Sequence, residues 1–154
     1  MAKFYSTKTW GNDRGLSCCF RQWRSTHSHC SLLHGYSIGV KVIFECESLD
    51  ERNWVQDFGG LGNFKKWLEH MFDHTLLVAE DDPHRELFES LPKETAELRI
   101  VPAVGCERFA EMAYNELTSQ LEQAKMDGTS LNPTVRVKSV EVFEHGANSA
   151  IYEG

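Results

Sequence analysis

The sequence predicts an α+β fold: an antiparallel four-stranded sheet with two helices on one face, in the order ββααββ. Three observations predict it. Residues 34–46 alternate with period two, so that His34, Tyr36, Ile38, Val40, Val42 and Phe44 share one face of a strand. Leu61, Phe64, Leu68, Met71 and Phe72 fall at helical spacing, as do Phe109, Met112, Ala113, Leu117 and Leu121 further on. A second strand, residues 134–144, follows the second helix.

Taken in order, residues 16–23 read as the first strand and residues 24–29 as a polar loop. The strand at 34–46 is followed by a turn at 49–53 and an extended segment at 54–58. Gly59-Gly60 then leads into the first helix, which ends near Asp73. Residues 81–102 are charged and broken by Pro83, Pro92 and Pro102; they predict an irregular connection with at most one short helix around 85–90. The second helix, about 106–125, stops at Asp127-Gly128, and a short last strand is expected at 150–152 after a turn at Gly146. With 154 residues and no repeats, low-complexity segment or linker, a single domain is expected. A sheet of this kind leaves its edges unpaired, so an oligomer is expected to cover them.

The formal charge of −7 argues against a general nucleic-acid binder, which carries a basic stripe. No apolar run approaches the roughly 18 residues of a membrane span. The start, Met-Ala-Lys-Phe-Tyr-Ser-Thr-Lys, lacks the apolar segment of a secretory signal, so a cytoplasmic location is expected. Five cysteines, with no Cys-x-x-Cys pair, make a poor disulfide or zinc-finger framework. Cys18, Cys19, Cys46 and Cys106 read as small buried hydrophobes, with Cys18 and Cys19 on opposite faces of their strand.

Cys30 stands apart because it sits four residues before His34-Gly, directly ahead of the best strand. Asp73-His74 closes the first helix, Glu107 opens the second, and Glu144 ends the penultimate strand. Each has an ordinary reading. Asp73 can terminate its helix, His74 gains from the helix dipole, Glu107 suits a first helical turn, and Glu144 can simply be solvated.

Together they resemble a known pattern. Cys30-Ser-Leu-Leu-His34-Gly-Tyr36 is similar to the Cys-x-x-x-His-Gly-His element of the 6-pyruvoyl-tetrahydropterin synthase and 6-carboxytetrahydropterin synthase family. Trp54-Val-Gln-Asp57-Phe58, Phe72-Asp73-His74-x-x-Leu77, Glu107-Arg-Phe-Ala, and Val140-x-Val-x-Glu144 with Ala150-x-Tyr152 resemble four further blocks of that family, in order, across residues 16–154. The resemblance implies the tunnelling fold (T-fold), whose subunits close into oligomeric barrels, commonly trimers stacked into hexamers. It implies that Cys30 is the general base that takes a proton from a dihydropterin side chain. A free thiol titrates near ~8.5, so such a base needs a cationic or metal neighbour. His74, oriented by Asp73, would be the acid–base relay. Glu144 would grip the donor edge of the pterin ring, with Glu107 beside the substrate.

The family holds zinc with three histidines, and here the resemblance departs. Phe20 falls at the first ligand position and Tyr36 at the third, leaving His34. Phenylalanine offers no donor, and tyrosine seldom binds zinc. Three readings follow. Zinc is kept with His29 or His27 beside His34; or it is lost, with Tyr36 and His29 supplying polarising hydrogen bonds; or the site only binds a pterin or purine. His27 and His29 also read as solvated loop residues. The metal-free dihydroneopterin aldolase, another tunnelling-fold enzyme, is a precedent for the second reading. The short Cys-x-x-x-His-Gly spacing is similar to the carboxy branch, which implies a lyase that converts 7,8-dihydroneopterin triphosphate to 6-carboxytetrahydropterin on the queuosine and 7-deazapurine route. The alternatives are pyruvoyl-type synthase, aldolase or epimerase action, and a non-catalytic pterin-binding module.

Overall fold

Apolar alternation builds the first of two sheets in a computed structural model that describes residues 2–154. Strand β4 (Gly39–Cys46) buries Val40, Val42 and Phe44 completely, and β7 (Arg136–His145) does the same with Val140 and Val142. With the edge strands β1 (Phe4–Trp10) and β8 (Asn148–Glu153), they form an antiparallel sheet in the order β1-β4-β7-β8. Two helices complete the layer. Helix α1 (Gly62–Phe72) buries Phe64, Leu68 and Phe72; α3 (Cys106–Met126) buries Phe109, Ala110, Ala113, Leu117 and Leu121. All of these residues join one core cluster. Each fully buried Phe, Leu or Val contributes about 1.5–3 kcal/mol, so this layer dominates the fold's stability.

A second sheet, ordered β3-β2-β5-β6, lies beyond what the sequence pattern predicts. Strand β2 (Ser17–Phe20) pairs antiparallel with β3 (His34–Ser37) and parallel with β5 (Thr75–Ala79), which pairs parallel with β6 (Glu97–Val101). The connection between β5 and β6 contains the short helix α2 (Arg85–Glu89), as expected.

Four expectations are corrected here. The strand expected over 34–46 is two strands, changing sheets at Ile38, whose N–H bonds the Leu16 carbonyl at 2.9 Å. Its alternation survives the change because period two fixes which face a side chain takes, not which neighbour the backbone pairs with. Strand β1 was not expected; it is a sheet edge whose outward residues are polar or exposed, so it lacks a clean apolar stripe. Strand β5 was not expected either, because its run Thr-Leu-Leu-Val-Ala follows α1 after only Asp73-His74 and is buried throughout, without alternation. Finally, β6 lies inside the stretch read as irregular, where the flanking prolines obscured it.

The five cysteines are free, and among the described residues no helix is long and apolar enough to cross a membrane.

Candidate active site

The turn between α1 and β5 is built for a histidine held out into solvent. His74 takes a left-handed backbone, φ +58°, which is uncommon for a side chain with a Cβ and costs about 1 kcal/mol or more. The turn is fixed from both sides. The His74 N–H donates to the Ser17 carbonyl of β2, and the Asp73 carboxylate accepts from the Ser17 N–H at 3.4 Å. Asp73 Oδ1 also lies 2.8 Å from His74 Nδ1, while the imidazole is 85% exposed. Asp73 therefore orients the ring. With the proton on Nδ1, facing the carboxylate, Nε2 is free to accept one from outside.

Cys30 lies in a single 3-10 turn, His29–Ser31, which Ser28 caps by accepting the Cys30 N–H at 3.1 Å. The turn is tied to β2 through the Gln22 N–H, which donates to the Cys30 carbonyl at 2.8 Å. Arg21 adds a second tie, donating to the Ser31 carbonyl at 3.0 Å and through two further nitrogens to Asp82 at 2.9 and 2.7 Å. Cys30 is half-buried, whereas His27 and His29 in the same loop are exposed.

At the far end of β7, Glu144 is half-buried, with the Cys106 thiol donating to its Oε1 at 3.8 Å. Cys106 opens α3 next to Glu107. Its burial and the negative charges of Glu144 and Glu107 push its thiol up to about 12, so it stays neutral. Cys18 is pushed up to about 12 as well, by burial and then by Cys19, Cys106 and Asp73. Tyr36 stands among these groups. Burial, followed by the Glu144 carboxylate and the neighbouring thiol groups of Cys30, Cys106 and Cys18, pushes its phenol up to about 12. The fold thus brings the Cys106 thiol onto Glu144, next to Glu107 at the α3 terminus, and sets Tyr36 opposite Cys18 within electrostatic reach of Glu144 and Cys30. The Asp73–His74 pair adjoins them through Ser17 and Cys18.

One of these, Cys106, is not among the candidates that the sequence offers. Cys106 was read only as a small buried hydrophobe; its place one residue before Glu107 was the available signal. Tyr36 enters the sequence reading both as a lost zinc ligand and, with His29, as a source of polarising hydrogen bonds. Three cations that could meet a phosphate all have carboxylate partners: Arg21 on Asp82, Arg24 on Asp81, and Lys138 on Glu153.

The residues at the three positions that correspond to zinc ligands do not fit a zinc ion. Phe20 is completely buried and stacks on Tyr36 with ring centroids 4.1 Å apart and planes at 12°. His34 lies against Tyr36 at 4.4 Å, with its Nδ1 3.1 Å from the Leu32 carbonyl. Among the described residues no three His, Cys, Asp or Glu side chains come together as a metal site, so His27, His29 and His34 do not assemble into one here.

Residues 12–154 match the 6-pyruvoyl tetrahydropterin synthase family. A relative from Aquifex aeolicus, a 6-carboxy-5,6,7,8-tetrahydropterin synthase, is 28% identical over 127 residues, covering 80% of this chain and 75% of the relative. A protein of the same name from Rickettsia typhi is 35% identical over a shorter stretch of 54 residues, 34% of this chain and 39% of the relative. Among solved structures, an uncharacterized protein from Wolinella succinogenes superposes with a TM-score of 0.78 at 20% identity, covering 99% of both chains. The 6-pyruvoyl tetrahydropterin synthase of Plasmodium falciparum superposes at 0.69 with 14% identity, covering 100% of this chain and 99% of its own. These likenesses show the tunnelling fold. The chain belongs to the 6-pyruvoyl tetrahydropterin synthase family.

Proposed function

We propose that the chain is a pterin lyase of the 6-carboxytetrahydropterin synthase type acting on 7,8-dihydroneopterin triphosphate. The observation that carries this reading is the Asp73–His74 pair, oriented at 2.8 Å and held in a costly left-handed turn. A protein that only bound a pterin would have use for Glu144 but none for an oriented, solvent-facing imidazole. The named relative from Aquifex aeolicus supports the carboxy branch.

In this reading Glu144 anchors the pterin: its carboxylate accepts from the amino and ring N–H groups, and Glu107 lies beside the ring. Such charge-assisted pairs are about twice as strong as neutral ones and select pterin- or guanine-like edges. Cys30 Sγ, as the thiolate, takes the proton from the substrate's side-chain carbon and becomes the thiol, and neutral His74 accepts the proton of the adjacent hydroxyl at Nε2 while Asp73 supports the imidazolium. The neutral thiol of Cys106 keeps a donor on Glu144 without adding a negative charge beside the site.

Substitution separates the roles. Cys30→Ala should lower turnover by about 100- to 10,000-fold and leave pterin binding, followed by fluorescence quenching, intact. Unchanged turnover would remove Cys30 from the chemistry. Product identity is read by mass spectrometry of the quenched reaction.

A further inference from the structure

We propose that this chain has exchanged the family's metal for a phenol: Tyr36, packed against Phe20 and His34, donates its hydroxyl proton in a hydrogen bond to the substrate's side-chain oxygen, and the site takes no zinc. The proposal rests on the pterin-lyase reading for its substrate, but its metal half stands on the residues alone.

Zinc needs at least three protein donors at about 2.0–2.3 Å. Phe20 has none, and its ring fills the core at zero exposure. The β2–β3 register sets Phe20 opposite His34 and Cys18 opposite Tyr36, so both aromatic substitutions lie on one patch of the sheet. There they stack at 4.1 Å, ring against ring, and the His34 ring packs against Tyr36 at 4.4 Å. Phe109 of α3 backs Phe20 edge-on at 5.0 Å. Restoring a metal would mean opening an aromatic stack that is continuous with the core.

The same stack makes Tyr36 a rigid donor. Its ring packs against two neighbouring rings, stacked on Phe20 and tilted against His34, which limits its motion while the hydroxyl can still turn. The groups acting on that hydroxyl are the Glu144 carboxylate and the thiol groups of Cys30, Cys106 and Cys18. A tyrosine hydroxyl is protonated at neutral pH from its ordinary value of about 10. It therefore offers a hydrogen bond where negative charge develops on the substrate oxygen, and it needs no metal to do so.

Three variants and a metal count test this. Tyr36→Phe keeps the stack and removes only the hydroxyl. It should lower kcat by about 100-fold or more while pterin affinity stays near native. Native protein purified from zinc-replete medium should carry far less than one zinc per chain and give no d–d absorption with cobalt(II). The double variant Phe20→His/Tyr36→His should gain both signals. Stoichiometric zinc in the native protein that falls in His34→Ala would overturn the proposal, as would native kcat in Tyr36→Phe. If native protein neither binds nor turns over the pterin, the functional reading fails, while the zinc count still decides whether the stack excludes the metal.

Discussion

His74 condenses the argument at the scale of single residues, because its backbone and its side chain pull in opposite directions. A left-handed φ suits glycine, so His74→Gly relieves strain of about 1 kcal/mol while deleting the imidazole. The expected outcome is a higher thermal midpoint with turnover lost; a variant that loses both would mean that the side chain, not the chemistry, holds the turn. Glu144→Ala should weaken pterin binding by about 10- to 100-fold, as expected for losing charged hydrogen bonds, and unchanged affinity by titration would end its anchoring role. Cys30, the Asp73–His74 pair and Glu144 were legible in the sequence because each sits beside a recognisable local pattern. The convergence of Tyr36 and Cys106 on Glu144 was not. It depends on β3 lying beside β7 and on α3 starting next to the β7 terminus, and nothing local in the sequence encodes either.

Among the elements, the decisive joint is the clamp by which Arg21, just past β2, grips Asp82 after β5 and the Ser31 carbonyl of the Cys30 turn. Asp82 is buried, which alone would raise its pKa. The Arg21 hydrogen bonds, the His84 N–H and the Arg21 charge outweigh that and hold it below the usual carboxylate range. A carboxyl depressed in the folded state contributes stability above its unfolded value of about 3.9, and loses it as pH falls through the folded value. Arg21→Ala should therefore cost about 3 kcal/mol at neutral pH, with the deficit shrinking below about pH 4. Urea denaturation across that range checks it; a deficit that does not change with pH would mean that packing, not charge, is lost. The helices α1 and α3 and the run through β4 were readable from periodicity, since one face of each is buried against one core. The parallel pair β5–β6 was not. A strand buried on both faces has no alternation to display, and its partner is chosen by a connection that contributes no periodic signal.

For the whole molecule, the open edges matter most. Strands β1 and β8 end the antiparallel sheet, and Phe4, Tyr5 and Ile151 on them are exposed. Unpaired edges with exposed apolar residues favour pairing with another copy, so we propose a homo-oligomer, trimeric or hexameric. Light scattering should return a mass several times that of one chain. Ile151→Lys, a charge on the β8 edge, should move the population toward monomer. A native monomer at micromolar concentration would contradict the expectation.

The most direct test of the account is to incubate native protein with 7,8-dihydroneopterin triphosphate, with and without a strong chelator, and to identify the products by mass spectrometry. The account predicts 6-carboxytetrahydropterin in both reactions at similar rates. Product formed only without chelator would contradict the metal-free site, and no product in either would contradict the assignment of the site to pterin lyase chemistry.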